Sequence, residues 1–217
     1  RISRQKFEGI IRVIVADNNS TDTTLERVSK ASEDFKNLQI ELVEGGTTPM
    51  ARNNGAKFVT TPYILFIDAD SILQGENVFI ETQKYLNKYE IISCKQKSIT
   101  ENDRKSVWTY KILDWIRSIM PITFCTGCFF LISKSKFNQL GGFDETLQNS
   151  EDFWLSKQVS KRKFKILDEY IGQDNRRFKK FGYWNFIKIN LLNYLNFWNI
   201  KWFKKDVGYW REYEQTN

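Results

Sequence analysis

Two apolar runs that each stop at an aspartate constrain this chain more than any other feature. Ile10 to Ala16 is β-branched and apolar apart from Arg12 and ends at Asp17, and Tyr63 to Ile67 ends at Asp68. Runs without polar alternation suit strands covered on both faces of a sheet. After Asp17 comes a polar cluster, Asn18, Asn19, Ser20, Thr21 and Asp22, and then Leu25, Val28, Ala31 and Phe35 recur at helical spacing with Ser, Thr and Asp available as caps. Leu38, Ile40 and Leu42 alternate as a second strand, and Pro49 to Val59 reads as a short helix before the second run. Alternating strands and helices specify an α/β fold, expected here as a mostly parallel twisted sheet flanked by helices. In such sheets a ligand lies beyond the carboxyl ends of the strands, where Asp17, Asp68 and Asp70 all fall.

Beyond Asp70, Asn77 to Tyr89 and Ser106 to Met120 read as helices, the latter amphipathic through Val107, Tyr110 and Leu113. Ile91 to Cys94 and Cys128 to Ile132 read as strands. Lys134 to Leu140 reads as a short helix closed by Gly141 and Gly142, and a new helix starts at Glu151 and Asp152. At 217 residues, 41% hydrophobic and 27% charged, the chain has the size and composition of one globular domain, which excludes a disordered or fibrous protein. No apolar run reaches membrane-spanning length and no signal pattern opens the sequence, so a cytoplasmic location is expected, at the inner face of the membrane if the tail described next binds lipid.

The charge is unevenly placed. Residues 1–152 carry 19 basic and 20 acidic side chains and residues 153–217 carry 14 and 6, so the whole excess of +7 is C-terminal. The same C-terminal stretch holds 17 of the 33 aromatics, which suggests an anionic partner or a membrane surface. Trp184, Ile187, Leu191, Leu195, Trp198 and Trp202 recur every three or four residues beside Lys188, Lys201, Lys204 and Lys205, the pattern of one amphipathic helix. Residues 1–170 are therefore expected to form the main domain, and residues 171–217 a helical extension that either packs on it or lies on a membrane through residues 181–205.

The chemistry available is bounded by what is missing. With no histidine, a general base must be a carboxylate, lysine, cysteine or tyrosine. The three cysteines, Cys94, Cys125 and Cys128, read as reduced; Cys125 and Cys128 have a zinc-like spacing but lack a second ligand pair. Asp68-Ala69-Asp70 at a strand end projects two carboxylates to one side, because residues two apart in an extended chain point the same way. Such hard oxygen donors suit magnesium or manganese held jointly with a diphosphate, although a DxD taken alone also describes a capping aspartate beside a solvated one.

Five ordered segments narrow the reading. Ala16 to Thr24 reads ADNNSTDTT, Ala51 to Gly55 ARNNG, Phe66 to Asp70 FIDAD, Gly141 to Glu145 GGFDE, and Glu151-Asp152 follows. In this order they resemble the family-two inverting glycosyltransferases, over about residues 10–170. The resemblance implies the GT-A fold, a nucleotide-sugar donor (UDP- or GDP-sugar), a manganese or magnesium ion, a glycan or lipid-linked acceptor, and no nucleic-acid partner. It places Asp17, Asn18 and Asp22 at the donor nucleotide, with Asp17 and Asn18 at base and ribose; Asn18 stands where the family usually has Asp. It puts Arg52 at the diphosphate or against the acidic turn, Asp68 and Asp70 at the metal with Asp70 the direct ligand, and the pair Glu151 and Asp152 at the catalytic position, Asp152 as base. Gln173-Asp174-Asn175-Arg176-Arg177 is faintly similar to the QxxRW element of processive synthases, with Arg176 and Arg177 available to the diphosphate and Arg177 where Trp should stand.

The family normally begins with an apolar strand and a Pro-x-Tyr-Asn type turn some thirty residues ahead of the strand at Ile10. None stands here, so the chain is expected to be a fragment with one wall of the nucleotide pocket absent and with exposed sheet edges that favour a homodimer. Two other readings stay open at this point: a nucleotidyltransferase with metal-binding aspartates on a similar sheet, and a non-enzymatic basic module for nucleic acid or anionic membrane.

Overall fold

The computed structural model describes residues 1–100 and 103–206, without the side chains of Arg177, Lys180 and Phe181. Strand β1 (Ile11–Asp17) pairs in parallel with β2 (Leu38–Glu44), Ile11 opposite Leu38 and Asp17 opposite Glu44, and α1 (Thr24–Asp34) is the crossover. Helix α2 (Thr48–Lys57) packs on both strands and leads to β3 (Tyr63–Phe66). β4 (Ile72–Gln74), the short α3 (Val78–Gln83), β5 (Ile91–Ser98), α4 (Arg104–Ile119), β6 (Phe130–Ser133), α5 (Lys134–Gln139), α6 (Glu151–Ser156) and β7 (Phe164–Gln173) follow in chain order. The second sheet has five strands in the order β3-β6-β5-β7-β4.

That sheet is mixed. β5 and β7 are parallel, but β6 runs against both β3 and β5, and β4 against β7. The cause is the stretch 120–129 after α4, which returns the chain so that β6 enters from the end opposite to β5. Two strands escaped the sequence pattern, β4 and the ten-residue β7. In β7 the apolar alternation is broken by a bulge: Leu167 pairs with Cys94 and Tyr170 with Lys95, which leaves Asp168 and Glu169 out of register. The helix expected over Asn77 to Tyr89 is regular only in α3 and continues as turns; within it the Thr82 hydroxyl donates to the Val78 carbonyl, a bond that bends short helices.

Both faces of the five-stranded sheet are covered. Ile91, Phe130 and Ile132 point into one core with Phe66, Phe137 and Phe143, while Ile92 and Leu131 point into the other with Leu73, Phe129 and Ile171. Adjacent residues thus feed opposite cores, which is why these strands read as unbroken apolar runs. The β1–β2 pair has no buried residue and joins the body through α2 and an Arg12–Thr60 hydrogen bond of 3.1 Å.

The C-terminal segment is not one helix. α7 (Arg176–Phe181) precedes α8 (Tyr183–Leu195), the chain breaks over Asn196–Asn199, and α9 (Ile200–Phe203) begins with the Asn199 side chain accepting from the Lys201 amide. The break lets Phe203 enter a cluster with Leu147 and Phe153, and lets the Trp202 indole donate to Asn193 at 2.7 Å. Helix α4 is pinned by a fully buried Arg117. Its guanidinium pairs with Asp114 at 2.9 Å and donates to the Ser93 hydroxyl and to the carbonyls of Cys94 and Phe124. Removing one partner of a buried pair strands the other charge. Arg117→Ala is therefore expected to cost about 3–5 kcal/mol in urea unfolding, against under about 0.5 kcal/mol for the exposed Lys111→Ala.

Candidate active site

The residues of α2 show how the site is built. Three consecutive side chains reach three different parts of the molecule. Arg52 contacts Asp68 at 2.6 Å and Glu151 at 2.5 Å through separate guanidinium nitrogens. Asn53 donates to the Phe143 carbonyl and to Glu145 and accepts from the Phe143 amide, which fastens the Gly141–Glu145 turn. Asn54 donates to the carbonyls of Glu44 and Gly45 at the end of β2. Gly55 then faces Ile14 of β1, where an added Cβ would make ordinary contact at 3.8 Å. The ARNNG segment is thus a joint between the end of β2, the end of β3 and the start of α6.

Arg52, Asp68, Asp70, Glu151, Asp152 and Gly127 line one open cleft. The Arg52 side chain is 12% exposed and that of Glu151 7%. Burial opposes the charge on Arg52, but Glu151, Asp68 and Asp152 together outweigh it and raise the pKa of the guanidinium. Burial also pushes the carboxyl groups of Glu151 and Asp152 above the usual carboxylate range; Arg52 pulls each back, Asp68 raises both, and Asp152 raises Glu151 further. Asp152 is held in place by main-chain donors, its Oδ2 accepting from the Gly127 amide at 2.6 Å and its Oδ1 from the Phe153 amide at 2.7 Å. Ser150, just before the pair, adopts a left-handed φ of 54°, a costly conformation for a residue with a Cβ.

Asp70 sits at the rim, with Arg176 at 3.6 Å; Arg176 also pairs with Asp174 at 3.0 Å. The side chain of Arg177 lies outside the described residues. Asp17, Asn18 and Asp22 are not among the cleft-lining residues. Asp17 accepts from the Ser20 amide and hydroxyl, Asp22 accepts from the Thr24 amide before α1, and Asn18 is exposed. Among the described residues no three His, Cys, Asp or Glu side chains are grouped to hold a metal. The two carboxylates of Asp68 and Asp70 fit a hard cation that takes its remaining ligands from phosphate and water, and do not fit an all-protein cage. Since Asp68 is already bonded to Arg52, Asp70 is the more available donor. The cysteines offer no thiolate: burial pushes Cys125 and Cys128 up to about 12.

Several cleft residues carry no sequence signal. Gly127 is the sharpest case, since a Cβ there would lie 2.0 Å from an Arg52 nitrogen. Gln96 donates to Thr126 beside it at 3.1 Å, and its amide is held by Asp114. The far wall comes from Tyr110 and Leu113 of α4 and from Phe186, Asn190 and Asn193 of α8. The one cue was the break of an apolar stretch at Thr126-Gly127, which reads as a turn and not as a site.

The family model of glycosyl transferase family 2 matches residues 1–141, and the chain belongs to that family. It is 22% identical over 181 residues to the hyaluronan synthase of Pasteurella multocida, an alignment that covers 79% of this chain and 18% of that protein. Among solved structures it is similar to the mannosyltransferase PcManGT of Pyrobaculum calidifontis, described in complex with GDP-Man and Mn2+, with TM-score 0.61 and 19% identity over 79% of this chain and 50% of that one. It is also similar to residues 1–349 of S. aureus TarS, with TM-score 0.57 and 16% identity over 81% and 55%. The GT-A fold of these structures is the fold of this chain, which spans about half of each of them.

Gly127→Ala is expected to push the guanidinium off Asp68 and Glu151, lowering stability by about 1–3 kcal/mol in thermal unfolding. Gly75→Ala, at a glycine with φ of +83° and no atom within 4 Å of the new Cβ, is the control that carries backbone strain without the collision.

Proposed function

We propose that this domain moves one sugar from a UDP- or GDP-sugar to an acceptor hydroxyl with inversion, and that Asp152 is the base. The observation that carries the reading is the convergence of Asp68, Asp70, Arg52, Glu151 and Asp152 on one cleft from three separate elements. Asp70, with Asp68 behind it, would hold a manganese or magnesium ion against the donor diphosphate. The ion supplies Lewis-acid stabilisation of the departing nucleoside diphosphate when bound. Arg52 has both terminal nitrogens engaged by protein carboxylates, which favours bracing the acidic turn over direct contact with phosphate. Arg176, at the rim and 61% exposed in its side chain, is the cation placed to meet the diphosphate.

The acceptor would enter past Tyr110 and Phe186, and its oxygen would bond to the anomeric carbon as the bond from that carbon to the phosphate oxygen breaks on the opposite face. The hydroxyl proton passes to a carboxylate oxygen of Asp152. A raised pKa suits that role, because it makes the carboxylate a stronger base toward the acceptor's hydroxyl proton than an ordinary aspartate. The main-chain bonds from Gly127 and Phe153 fix the carboxylate and leave no side-chain rotation to be frozen on binding.

Calorimetry with UDP, GDP and their sugars, with and without manganese, tests the donor site. One nucleotide should bind in a manganese-dependent way and Asp70→Ala should lose it; equal binding without metal, or none in either protein, would overturn the reading. Asp152→Asn should lower kcat by at least about 10²-fold while donor binding survives. Because Asp152 must be ionised to accept the proton, the rate should fall as pH drops through a pKa above that of an ordinary aspartate. A rate that is flat down to the usual aspartate range would assign the base elsewhere.

A further inference from the structure

Helices α4 and α8 border the cleft with one face each and turn a second, apolar face to solvent. On α4 the inward residues are Ser106, Tyr110 and Arg117, and the residues opposite them on the helix, Trp108, Ile112, Trp115 and Ile119, are all more than half exposed. On α8, Phe186, Asn190 and Asn193 line the cleft while Trp184, Ile187, Leu191 and Leu195 are exposed, and Trp198 follows at 68%. The two helices are neighbours. Tyr183 at the start of α8 donates to the Asp103 carboxylate that caps α4, and Phe178 stacks on Tyr183 while contacting Tyr110 and Phe186. Every exposed tryptophan among the described residues lies on this pair of helices or just after it.

The charges around the stripes are of one sign. Arg104, Lys105 and Lys111 flank the α4 stripe and are exposed, while the helix's single acid, Asp114, is paired inward with Arg117. Residues 183–205 contain Lys188, Lys201, Lys204 and Lys205 and no aspartate or glutamate. Lysine is depleted in protein–protein interfaces, whereas tryptophan beside lysine is the composition of a segment lying at a lipid–water boundary. Among the described residues no helix is long and apolar enough to cross a membrane, so such binding would be peripheral.

We propose that α4 and α8 together form a docking surface for an anionic lipid bilayer, the tryptophans entering the interface and the lysines facing acidic headgroups, with the cleft mouth held beside the membrane. An acceptor carried in that membrane would then reach the cleft along the wall formed by the same two helices.

The test is sedimentation of the protein with vesicles of phosphatidylcholine alone or mixed with phosphatidylglycerol, with tryptophan quenching by brominated acyl chains to report insertion. Neither donor nor acceptor is present, so the result is independent of whether the sugar-transfer reading stands. The protein should bind the phosphatidylglycerol vesicles and be quenched. Trp108→Gln/Trp115→Gln and Trp184→Gln/Trp198→Gln, all at exposed positions and checked for unchanged thermal unfolding, should each weaken partitioning at least tenfold. Absence of binding to anionic vesicles, binding by either variant equal to the parent, or a concentration-dependent dimer that either variant abolishes would overturn the proposal, the last by assigning the surface to a second copy of the chain.

Discussion

Everything near the cleft depends on one buried cation. Arg52 sits among three carboxylates, those of Asp68, Glu151 and Asp152, which arrive from the end of β3 and the start of α6. In a poorly solvated site, acids this close would repel one another strongly without a charge between them. The guanidinium is planar and donates in two directions at once, so a single side chain fixes the separation of the acidic turn and the Glu151-Asp152 pair; a lysine has no such fork. Gly127 is the geometric consequence of that choice. Its missing Cβ leaves the space the guanidinium fills, and its amide holds Asp152 from the other side.

The arrangement still leaves more negative than positive charge, and that surplus divides the work among the acids. Asp68 and Glu151 are taken up by Arg52. Asp152, held by two main-chain amides and lifted in pKa by burial, is the carboxylate that the proposed reaction uses to receive a proton. Asp70, at the rim beside Arg176, is suited to a cation and a diphosphate. Positions two residues apart in sequence, Asp68 and Asp70, thereby differ in setting, one paired with the buried Arg52 and one at the rim beside Arg176.

Much of this was legible in the sequence because the carriers are local. The strand ends at Asp17 and Asp68, the ARNNG helix and the ED pair at a helix start all depend on short-range patterns of apolar run, cap and turn. What escaped depends on partners distant in sequence. β7 is interrupted by a bulge whose cause is its register with β5, Gly127 matters because of a residue 75 positions earlier, and the break before α9 exists because Phe203 and Trp202 have places to go in the domain. The reading of residues 184–202 as one amphipathic helix failed there for the same reason: helical spacing continues through Asn199, and tertiary packing overrides it. The Asp17–Asp22 turn was recognised as a motif, yet its side chains are engaged within the turn itself and the β1–β2 unit carries no buried residue, so the placement of that turn rests on Asn54 and Gly45 rather than on a core.

The claim that Arg52 is the charge on which the acidic groups depend is tested most directly by a double-mutant cycle of Arg52→Met and Glu151→Gln read by urea unfolding. With Arg52 absent, neutralising Glu151 relieves repulsion among carboxylates that have lost their cation, so Glu151→Gln should rescue the Arg52→Met protein by about 1–3 kcal/mol more than it changes the parent. Equal effects in the two backgrounds, within about 0.5 kcal/mol, would mean that the groups are independent and that the site is held together by something other than this ion cluster.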